Sequence, residues 1–145
     1  MKPSQKASYA VRAMVDLALH SRSGTPVRLS AIARRGRMPV KFLESALADL
    51  RKAGLVVSRR GPVGGHLLAR AANEITLGQI RSAIDGPLAL VPASPRRRAA
   101  DPVEAGLQSV WKEVEHAIGA VLDGISVEEM CRRAEQSASV LDFSI

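Results

Sequence analysis

The sequence predicts a mainly α-helical chain with one small β-hairpin and a long helix near the C-terminus. Three observations predict it: apolar residues at helical spacing in segments joined by brief interruptions, a glycine-rich turn between two apolar segments, and an apolar stripe from residue 103 to residue 121. The chain has 145 residues, of which 46% are hydrophobic. That is enough for one domain with a real core.

Residues 6–54 predict three helices in helix-turn-helix order. From Lys6 to about His20, apolar residues recur at three- and four-residue spacing, as on one face of a helix. Ser30 is expected to cap a short second helix, which Gly36 interrupts after about two turns. Pro39 suits the first position of a third helix. The buried stripe of that third helix is expected to comprise Leu43, Ala46, Leu47 and Leu50.

The stretch after the third helix predicts a β-hairpin. The segment "LVVSRR" is rich in β-branched residues, "GPVGG" cannot continue a helix, and "HLLAR" returns to apolar residues. A helix-turn-helix followed by a hairpin is a winged helix. Thr76 then begins a fourth helix that ends at Gly86 and Pro87, so residues 1–85 form the predicted winged helix-turn-helix domain.

A linker loop is predicted over residues 86–101, which contain three prolines and a run of three arginines, Arg96, Arg97 and Arg98. The arginines either reach a phosphate backbone or keep the linker soluble. The next helix has a strong start signal, because Asp101 can cap it, Pro102 suits its first position and Glu104 lies in its first turn.

The long helix predicted over residues 102–125 has two apolar stripes, and therefore needs two partners. The candidates are the body of the chain and the same helix of a second subunit. One stripe is the predicted dimer interface and comprises Val103, Leu107, Val110, Val114, Ala117 and Val121. The stripe beside it comprises Trp111, Ile118, Leu122 and Ile125.

Residues 126–145 predict a last short helix, capped by Ser126 and extending to about Ser137, and a tail. Cys131 shares the apolar side of this helix with Val127 and Met130, which favours a core residue over a redox sensor.

Charge divides the chain into two unequal parts. Residues 1–85 hold fifteen Lys and Arg against five Asp and Glu, a net charge of +10, whereas residues 86–145 hold six against nine, a net charge of −3. A basic half of this kind is typical of a polyanion binder, because each neutralised phosphate releases condensed counterions. A solvated surface is the alternative that charge alone leaves open.

Several stretches together resemble the winged-helix transcription regulators typified by the iron–sulfur cluster assembly regulator, with the nitric-oxide-sensing and cysteine-metabolism repressors as relatives. They are "KASYAVRAMVDLAL", "LSAIARRG", "FLESALADLRKAGLVVSRRGPVGGHLLAR", "ITLGQIRSAIDGP", "VWKEVEHAIGAVLDGISVEEM" and, more weakly, "SVLDFS". The block "LRKAGLVVSRRGPVGGHLLAR" is the specific part. The resemblance implies a homodimer, paired through its long helices, that binds palindromic operators and acts as a repressor.

The chain departs from this family at its best-known cofactor. Members that carry a [2Fe–2S] cluster are similar in placing three cysteines before the long helix, where this chain has "LALVPASPRRRAADPVEAG". Thiolates are the necessary ligands of such clusters, and His116 and Cys131 are not spaced to replace them. We expect no cofactor here. His20, His66 and His116 are scattered and suggest no metal site.

The third helix is the expected reader of base edges, because the major groove admits a helix and the N-terminal part of a recognition helix meets the bases. Its exposed candidates are Val40, Lys41, Glu44 and Ser45. Glu44 is costly near phosphates unless it accepts a bond from cytosine, which favours sequence selection. The alternative is that Glu44 is solvated or pairs with Lys41.

The hairpin turn is the second candidate contact with DNA. Arg60 lies where a glycine turn brings the backbone close to DNA, and an arginine there can enter a narrow minor groove. Arg59 alternates to the other strand face and is expected to reach a phosphate. Gly61, Gly64 and Gly65 are then conformational requirements of the turn. A surface hairpin with two solvated arginines is the alternative.

Other basic and polar residues are weaker candidates for phosphate contacts, which position a protein without reading sequence. They are Lys6, Tyr9, Arg28, Ser30 and Arg34.

The sequence offers no enzymatic signature, since it has no glycine-rich phosphate loop, paired catalytic carboxylates or nucleophile elbow. Its start, "MKPSQKASYAV", has no run suited to a signal peptide, and eighteen apolar residues never follow one another. We therefore expect a soluble cytoplasmic protein without a membrane partner.

The sequence thus predicts a homodimeric, sequence-specific DNA-binding regulator that reads a pseudo-palindromic operator in double-stranded DNA. Two alternatives remain open. One is an adaptor that uses the winged helix on a protein, and the other is the same regulator controlled by a small-molecule effector bound between the core and the long helix.

Overall fold

Residues 2–91 and 101–143 are described by a computed structural model of the chain. Two antiparallel strands, β1 (Val56–Arg59) and β2 (Gly65–Leu68), pair with Val56 opposite Leu68. The predicted class, mainly helical with a small hairpin, is confirmed. A 3₁₀-helix spans Ala72–Glu74, and the α-helices are α1 (Gln5–His20), α2 (Leu29–Gly36), α3 (Val40–Lys52), α4 (Leu77–Asp85), α5 (Pro102–Asp123) and α6 (Val127–Phe143).

The starts of α2 and α3 differ slightly from the predicted ones. Arg28 occupies the N-cap position of α2, so Ser30 lies inside the helix and the prediction that it caps α2 is wrong. The chain reaches α2 already paired with the hairpin, since Val27 N donates to the His66 carbonyl at 2.9 Å, and this fixes the earlier start. Pro39 occupies the N-cap position of α3 and not its first helical residue.

The turn between α2 and α3 begins at Gly36, as predicted. Helix α2 ends at Gly36, but the residue in the left-handed conformation is Arg37, with φ of 50°. Gly36 instead leaves room for Met38, because a Cβ at residue 36 would lie 2.6 Å from Met38 Cε. The buried Met38 side chain thereby anchors the turn to the core.

Helix α1 lies at the centre of the core and contacts α2, α3, α4, α6 and β2. Its small Ala10 and Ala13 are fully buried, which lets the neighbouring helices approach closely. The predicted stripe of α3 faces α1, and Leu43, Ala46, Leu47 and Leu50 are all buried. This packing fixes which side of α3 remains at the surface.

The turn between α5 and α6 is tied to the start of α4. Thr76 caps α4 through a capping box. Beside it, Leu77 N donates to the Ile125 carbonyl and Val127 N donates to the Ile75 carbonyl, both at 2.8 Å. These bonds anchor the C-terminal helices to the winged helix.

Helix α5 begins at its predicted cap, where Asp101 Oδ1 accepts a hydrogen bond from Val103 N at 3.0 Å. None of its residues is buried. In the second predicted stripe, Ile118 and Leu122 are half-buried, whereas Trp111 is exposed. The body of the chain therefore covers only one side of α5. The predicted dimer stripe is exposed along its whole length: Val103, Leu107, Val110, Val114, Ala117 and Val121.

Helix α6 extends to Phe143, well past the predicted end near Ser137. The prediction of a short helix is wrong because residues 127–143 contain no glycine or proline that could stop it. The predicted cap is confirmed, since Ser126 Oγ accepts a hydrogen bond from Glu129 N at 3.1 Å.

Cys131 is buried in the core, as predicted, and its thiol lies 3.8 Å from the Val15 carbonyl oxygen. Burial raises the pKa of the Cys131 thiol, which favours its protonated form. Cys131 and Val127 belong to the same cluster as the buried residues of α1–α4. The winged helix and α6 therefore share one core.

The predicted linker is described only in part. Leu90 N donates to Glu115 Oε2 at 3.0 Å, which joins the segment after α4 to α5. Arg96, Arg97 and Arg98 lie outside the described residues. Among the helices in the described ranges, none combines the length and the apolar character needed to cross a membrane.

Candidate nucleic-acid interface

The surface side of α3 carries the four residues predicted to read bases. Val40, Lys41, Glu44 and Ser45 all lie in the first half of the helix and are exposed. Since the opposite side of α3 is buried against α1, these four side chains are presented outward as one face. A helix face of this kind fits the major groove.

Glu44 lies beside the base of the hairpin. It borders a cavity of about 220 Å³ together with Leu29, Leu47, Ala48, Arg51 and His66. In the part of the chain that the structure describes, no ion pair joins Glu44 to Lys41. Glu44 of α3 and His66 of the hairpin therefore line the same cavity.

His66 occupies the base of the hairpin and is half-buried there. Its Nδ1 lies 3.0 Å from Ser58 Oγ across the strands. Burial, and secondly the positive charge of Arg51, lower the pKa of His66 below its usual value of 6.5. The imidazole is therefore neutral at neutral pH, and the positive charge of the hairpin comes from its arginines.

Arg59 and Arg60 lie at the start of the hairpin turn, and both are exposed. Arg59 ends β1 opposite Gly65, and Arg60 follows it outside the strand. Val63, at the tip of the turn, is 82% exposed. The turn thus projects two cations and one apolar side chain away from the core.

Glycines shape this turn in two ways. Gly61 has φ of 104°, a conformation that side chains disfavour. At residue 64 there is no room, because a Cβ there would collide with the Arg59 carbonyl oxygen. Gly65 combines both constraints, with φ of 154° and the Val27 carbonyl oxygen 2.6 Å from where a Cβ would be.

Arg28, predicted as a phosphate contact, is exposed but already has a partner within the chain. Its guanidinium donates a hydrogen bond to the carbonyl oxygen of Pro62, in the hairpin turn. It therefore joins the start of α2 to the wing.

Lys6 and Tyr9 of α1 also have partners of their own. Lys6 Nζ lies 2.6 Å from Asp49 Oδ2 of α3. The Tyr9 ring packs edge-on against Phe42, with centroids 6.1 Å apart, and its hydroxyl accepts a hydrogen bond from Gln5 Nε2. A phosphate contact by Lys6 would compete with its ion pair.

Helix α2 presents Ser30 and Arg34 at the surface. Arg35 is not free to contact a phosphate, because its guanidinium donates two hydrogen bonds of 2.8 Å to the Asp16 carboxylate. Sequence reasoning missed Arg37, an exposed cation in the turn just before α3. The only sequence signal for it is its place between the two helices.

Side chains that could ligate a metal do not cluster within the described residues. No group of three or more His, Cys, Asp or Glu side chains comes together there. Cys131 is held in the core with its thiol directed at a main-chain carbonyl. The residues described do not fit a cluster, and residues 92–100 contain no Cys, His, Asp or Glu.

A helix-turn-helix with an exposed face on its third helix, an arginine-bearing wing and a net charge of +10 over residues 1–85 is typical of the winged-helix class of DNA-binding proteins. The sequence profile of the Rrf2 family, described as "Iron-dependent Transcriptional regulator", matches residues 3–133. The chain belongs to the Rrf2 family, as the resemblance predicted, and it is a DNA-binding transcription regulator and not an enzyme.

Individual relatives agree with this assignment. The HTH-type transcriptional regulator IscR of Pectobacterium carotovorum subsp. carotovorum is 36% identical over 135 residues, which cover 93% of this chain and 82% of the relative. A solved structure of T. potens IscR has 39% identity and a TM-score of 0.75, covering 94% of this chain and 90% of its own. The structure of CymR, the global cysteine regulator of B. subtilis, has 29% identity and a TM-score of 0.76, covering 92% and 98%.

Proposed function

We propose that the chain is a homodimeric repressor that reads a pseudo-palindromic operator through two winged helices. The observation that carries the proposal is the exposed stripe on α5, the predicted dimer interface, in a chain whose winged helix already buries its own core. In a monomer this apolar stripe is exposed to water, which is unfavourable. Pairing two copies of α5 removes the stripe from water. The repressor role rests on the family likeness.

Each subunit presents α3 to the major groove. Lys41 donates to guanine or a phosphate, Val40 packs on a thymine methyl group, and Glu44 accepts from cytosine N4. Ser45 acts as donor or acceptor. Two subunits related by a two-fold axis place two such helices on one face of the duplex, which requires half-sites related by the same symmetry.

The wing reads the adjacent minor groove. Arg60 enters the groove where its negative potential is strongest, while Arg59 contacts the phosphate backbone. Gly61, Gly64 and Gly65 let the main chain approach closely. Lys6, Tyr9, Ser30 and Arg34 are candidates for contacts with the phosphate backbone around α3 and the wing.

We also propose that this regulator works without an iron–sulfur cluster, because the described residues do not fit one. Freshly purified protein is then expected to be colourless, with no absorbance above the aromatic band after anaerobic purification. A visible charge-transfer band that disappears on chelation would contradict this part of the proposal.

Regulation by a small molecule is a second candidate function, favoured by one cleft. A cleft of about 880 Å³ lies between the N-terminal part of α1, α4 and α5. Val11, Leu77 and Ile118 form apolar walls, and the charged residues Lys2, Arg81 and Asp85 border it. A ligand there would contact both the winged helix and the long helix, and so could change how the two are held. Screening small carboxylates for a shift in melting temperature and in operator affinity tests this candidate.

The proposal is tested by selecting operators from random double-stranded DNA and measuring binding at several salt concentrations. We expect a motif with two-fold symmetry, two chains per duplex, and an affinity that falls steeply as salt rises. Absence of any enriched motif, together with binding that hardly depends on salt, would instead favour an adaptor that uses this surface on a protein.

A further inference from the structure

We propose that Arg28 is a positioning residue that holds the wing turn, and with it Arg60, against the start of α2. This inference rests on the DNA-reading function proposed above. Arg28 then acts by a hydrogen bond to the main chain of the wing, and not by the phosphate contact that the sequence suggested.

The base of the hairpin is held by the main chain of Val27. Val27 N donates to the His66 carbonyl at 2.9 Å, and His66 N donates to the Val27 carbonyl at 2.8 Å. Gly65 lets this segment approach, since a Cβ there would collide with the Val27 backbone. These contacts stop at the base and do not reach the tip of the turn.

The tip has one main-chain bond of its own, from Gly64 N to the Gly61 carbonyl at 2.9 Å. Arg28 provides a second restraint, because its guanidinium donates to the Pro62 carbonyl, between those two glycines in sequence. Val27 and Arg28 are consecutive, so one dipeptide holds both the base and the tip of the wing.

The position of Arg28 in its helix supports this role. It occupies the N-cap of α2 but makes no capping bond with its side chain. A cation at a helix N-terminus is also unfavourable, because the macrodipole favours negative charge there. Helix capping therefore does not explain why residue 28 is an arginine. The contact with the wing does explain it, because a long side chain with several donors reaches the Pro62 carbonyl.

The consequence concerns Arg60, which immediately precedes the restrained turn. A wing fixed before binding loses less conformational entropy on the duplex than one that must be ordered there. Arg28 thereby contributes to operator affinity through Arg60.

A double-mutant cycle separates this role from a direct phosphate contact. Operator affinity is measured for wild type, Arg28→Met, Arg60→Ala and the double variant, with the operator obtained by selection. If Arg28 acts through Arg60, we expect Arg28→Met to weaken binding by about fivefold or more, and the double variant to be no weaker than Arg60→Ala within about twofold. If the two losses multiply in the double variant, Arg28 contacts DNA independently and the proposal is wrong.

Two controls belong to the cycle. Arg34→Met removes an exposed arginine from the same helix, and its loss is expected to multiply with that of Arg60→Ala. Arg28→Lys keeps a donor on a long stem, and we expect it to restore part of the affinity that Arg28→Met loses.

A measurement without DNA tests the restraint itself. Amide hydrogen exchange of Gly64, whose N–H donates to the Gly61 carbonyl, is expected to be faster in Arg28→Met than in wild type, with the amides of α1 unchanged. Unchanged exchange in the turn would overturn the proposal. Because this result does not depend on DNA, it stands apart from a failure of the proposed function, which would appear as wild-type protein that binds no duplex.

Discussion

The helices of the winged helix and the long helix α5 have similar apolar patterns in sequence but differ in burial in the structure. In the winged helix, the stripes of α1 and α3 meet and are buried. In α5 no residue is buried, and Val103 and Val121 are 69% and 63% exposed. The winged helix is thus packed within a single chain, whereas α5 leaves an apolar side uncovered.

The free energy of burying apolar side chains also favours pairing of α5 with a second copy. A Val or Leu side chain taken fully out of water contributes about 1.5–3 kcal/mol. The exposed stripe of α5 holds five such residues, so pairing two copies has a large driving force available. The large apolar side chains that the winged helix exposes, Val40, Phe42, Val57 and Val63, lie on α3 and the hairpin, and residues 1–85 carry a net charge of +10, as suits a DNA-binding region.

The largest effect is expected from a charge placed in the stripe. Val110→Glu puts a carboxylate where two apolar helices are proposed to meet, so the dimer dissociates. A monomer contacts the operator through one winged helix and not two, so operator affinity falls by at least about 100-fold. Sedimentation velocity and gel-shift titration measure the two effects.

The matched control is Ala105→Glu, which adds the same charge to an exposed residue of α5 that lies away from the stripe at 3.6 residues per turn. It is expected to leave both mass and affinity nearly unchanged. Equal damage by both variants would show that the added charge, and not the stripe, is responsible.

The next largest effect concerns the wing. Arg60→Ala is expected to cost about 1–3 kcal/mol on the selected operator and much less on random DNA, because it removes a groove contact. Titrations on both duplexes measure the difference. Equal losses on the two DNAs would mean that Arg60 contacts phosphate only.

A smaller and unselective effect is expected at Lys6. Because Asp49 already pairs with the Lys6 ammonium, a phosphate contact there replaces an existing partner. Lys6→Ala is therefore expected to weaken operator and random DNA alike, by about two- to fivefold, with a shallower salt dependence. A loss confined to the operator would contradict this role.

The smallest effect involves His66. Its pKa in the folded protein lies below 6.5, so the folded state binds fewer protons than the unfolded state as pH falls through 6.5. The stability that neutral His66 contributes is present above pH 6.5 and is lost below it. Between pH 7.5 and 5.5, we expect the melting temperature of wild type to fall by about 1–3 °C more than that of His66→Gln. Equal falls would assign the pH dependence to other groups.

The sequence was sufficient for the order of elements, because each helix has a clear apolar period and the hairpin has a clear turn. The start of α2 differs from the prediction because a tertiary contact overrides a local signal, whereas the end of α6 differs because a local stop signal is absent. Ser30 is a good cap by residue type, yet pairing of Val27 with His66 starts α2 before it. Helix α6 runs past Ser137 because no stop residue follows.

The candidate site was predictable in part. The exposed face of α3 followed from its buried stripe, and the glycine turn placed Arg59 and Arg60. The contact from Arg28 to Pro62 joins residues 34 positions apart, and the Lys6 and Asp49 pair spans 43. No local pattern encodes such contacts, so these residues were indistinguishable from solvated surface.

The most direct test is sedimentation velocity of the purified protein, alone and with its selected operator at low ionic strength. We predict twice the mass of the chain without DNA and two chains on each duplex. The central claim is that paired α5 helices present two winged helices to one DNA duplex. A protein that stays monomeric in solution and binds no duplex under these conditions would contradict it.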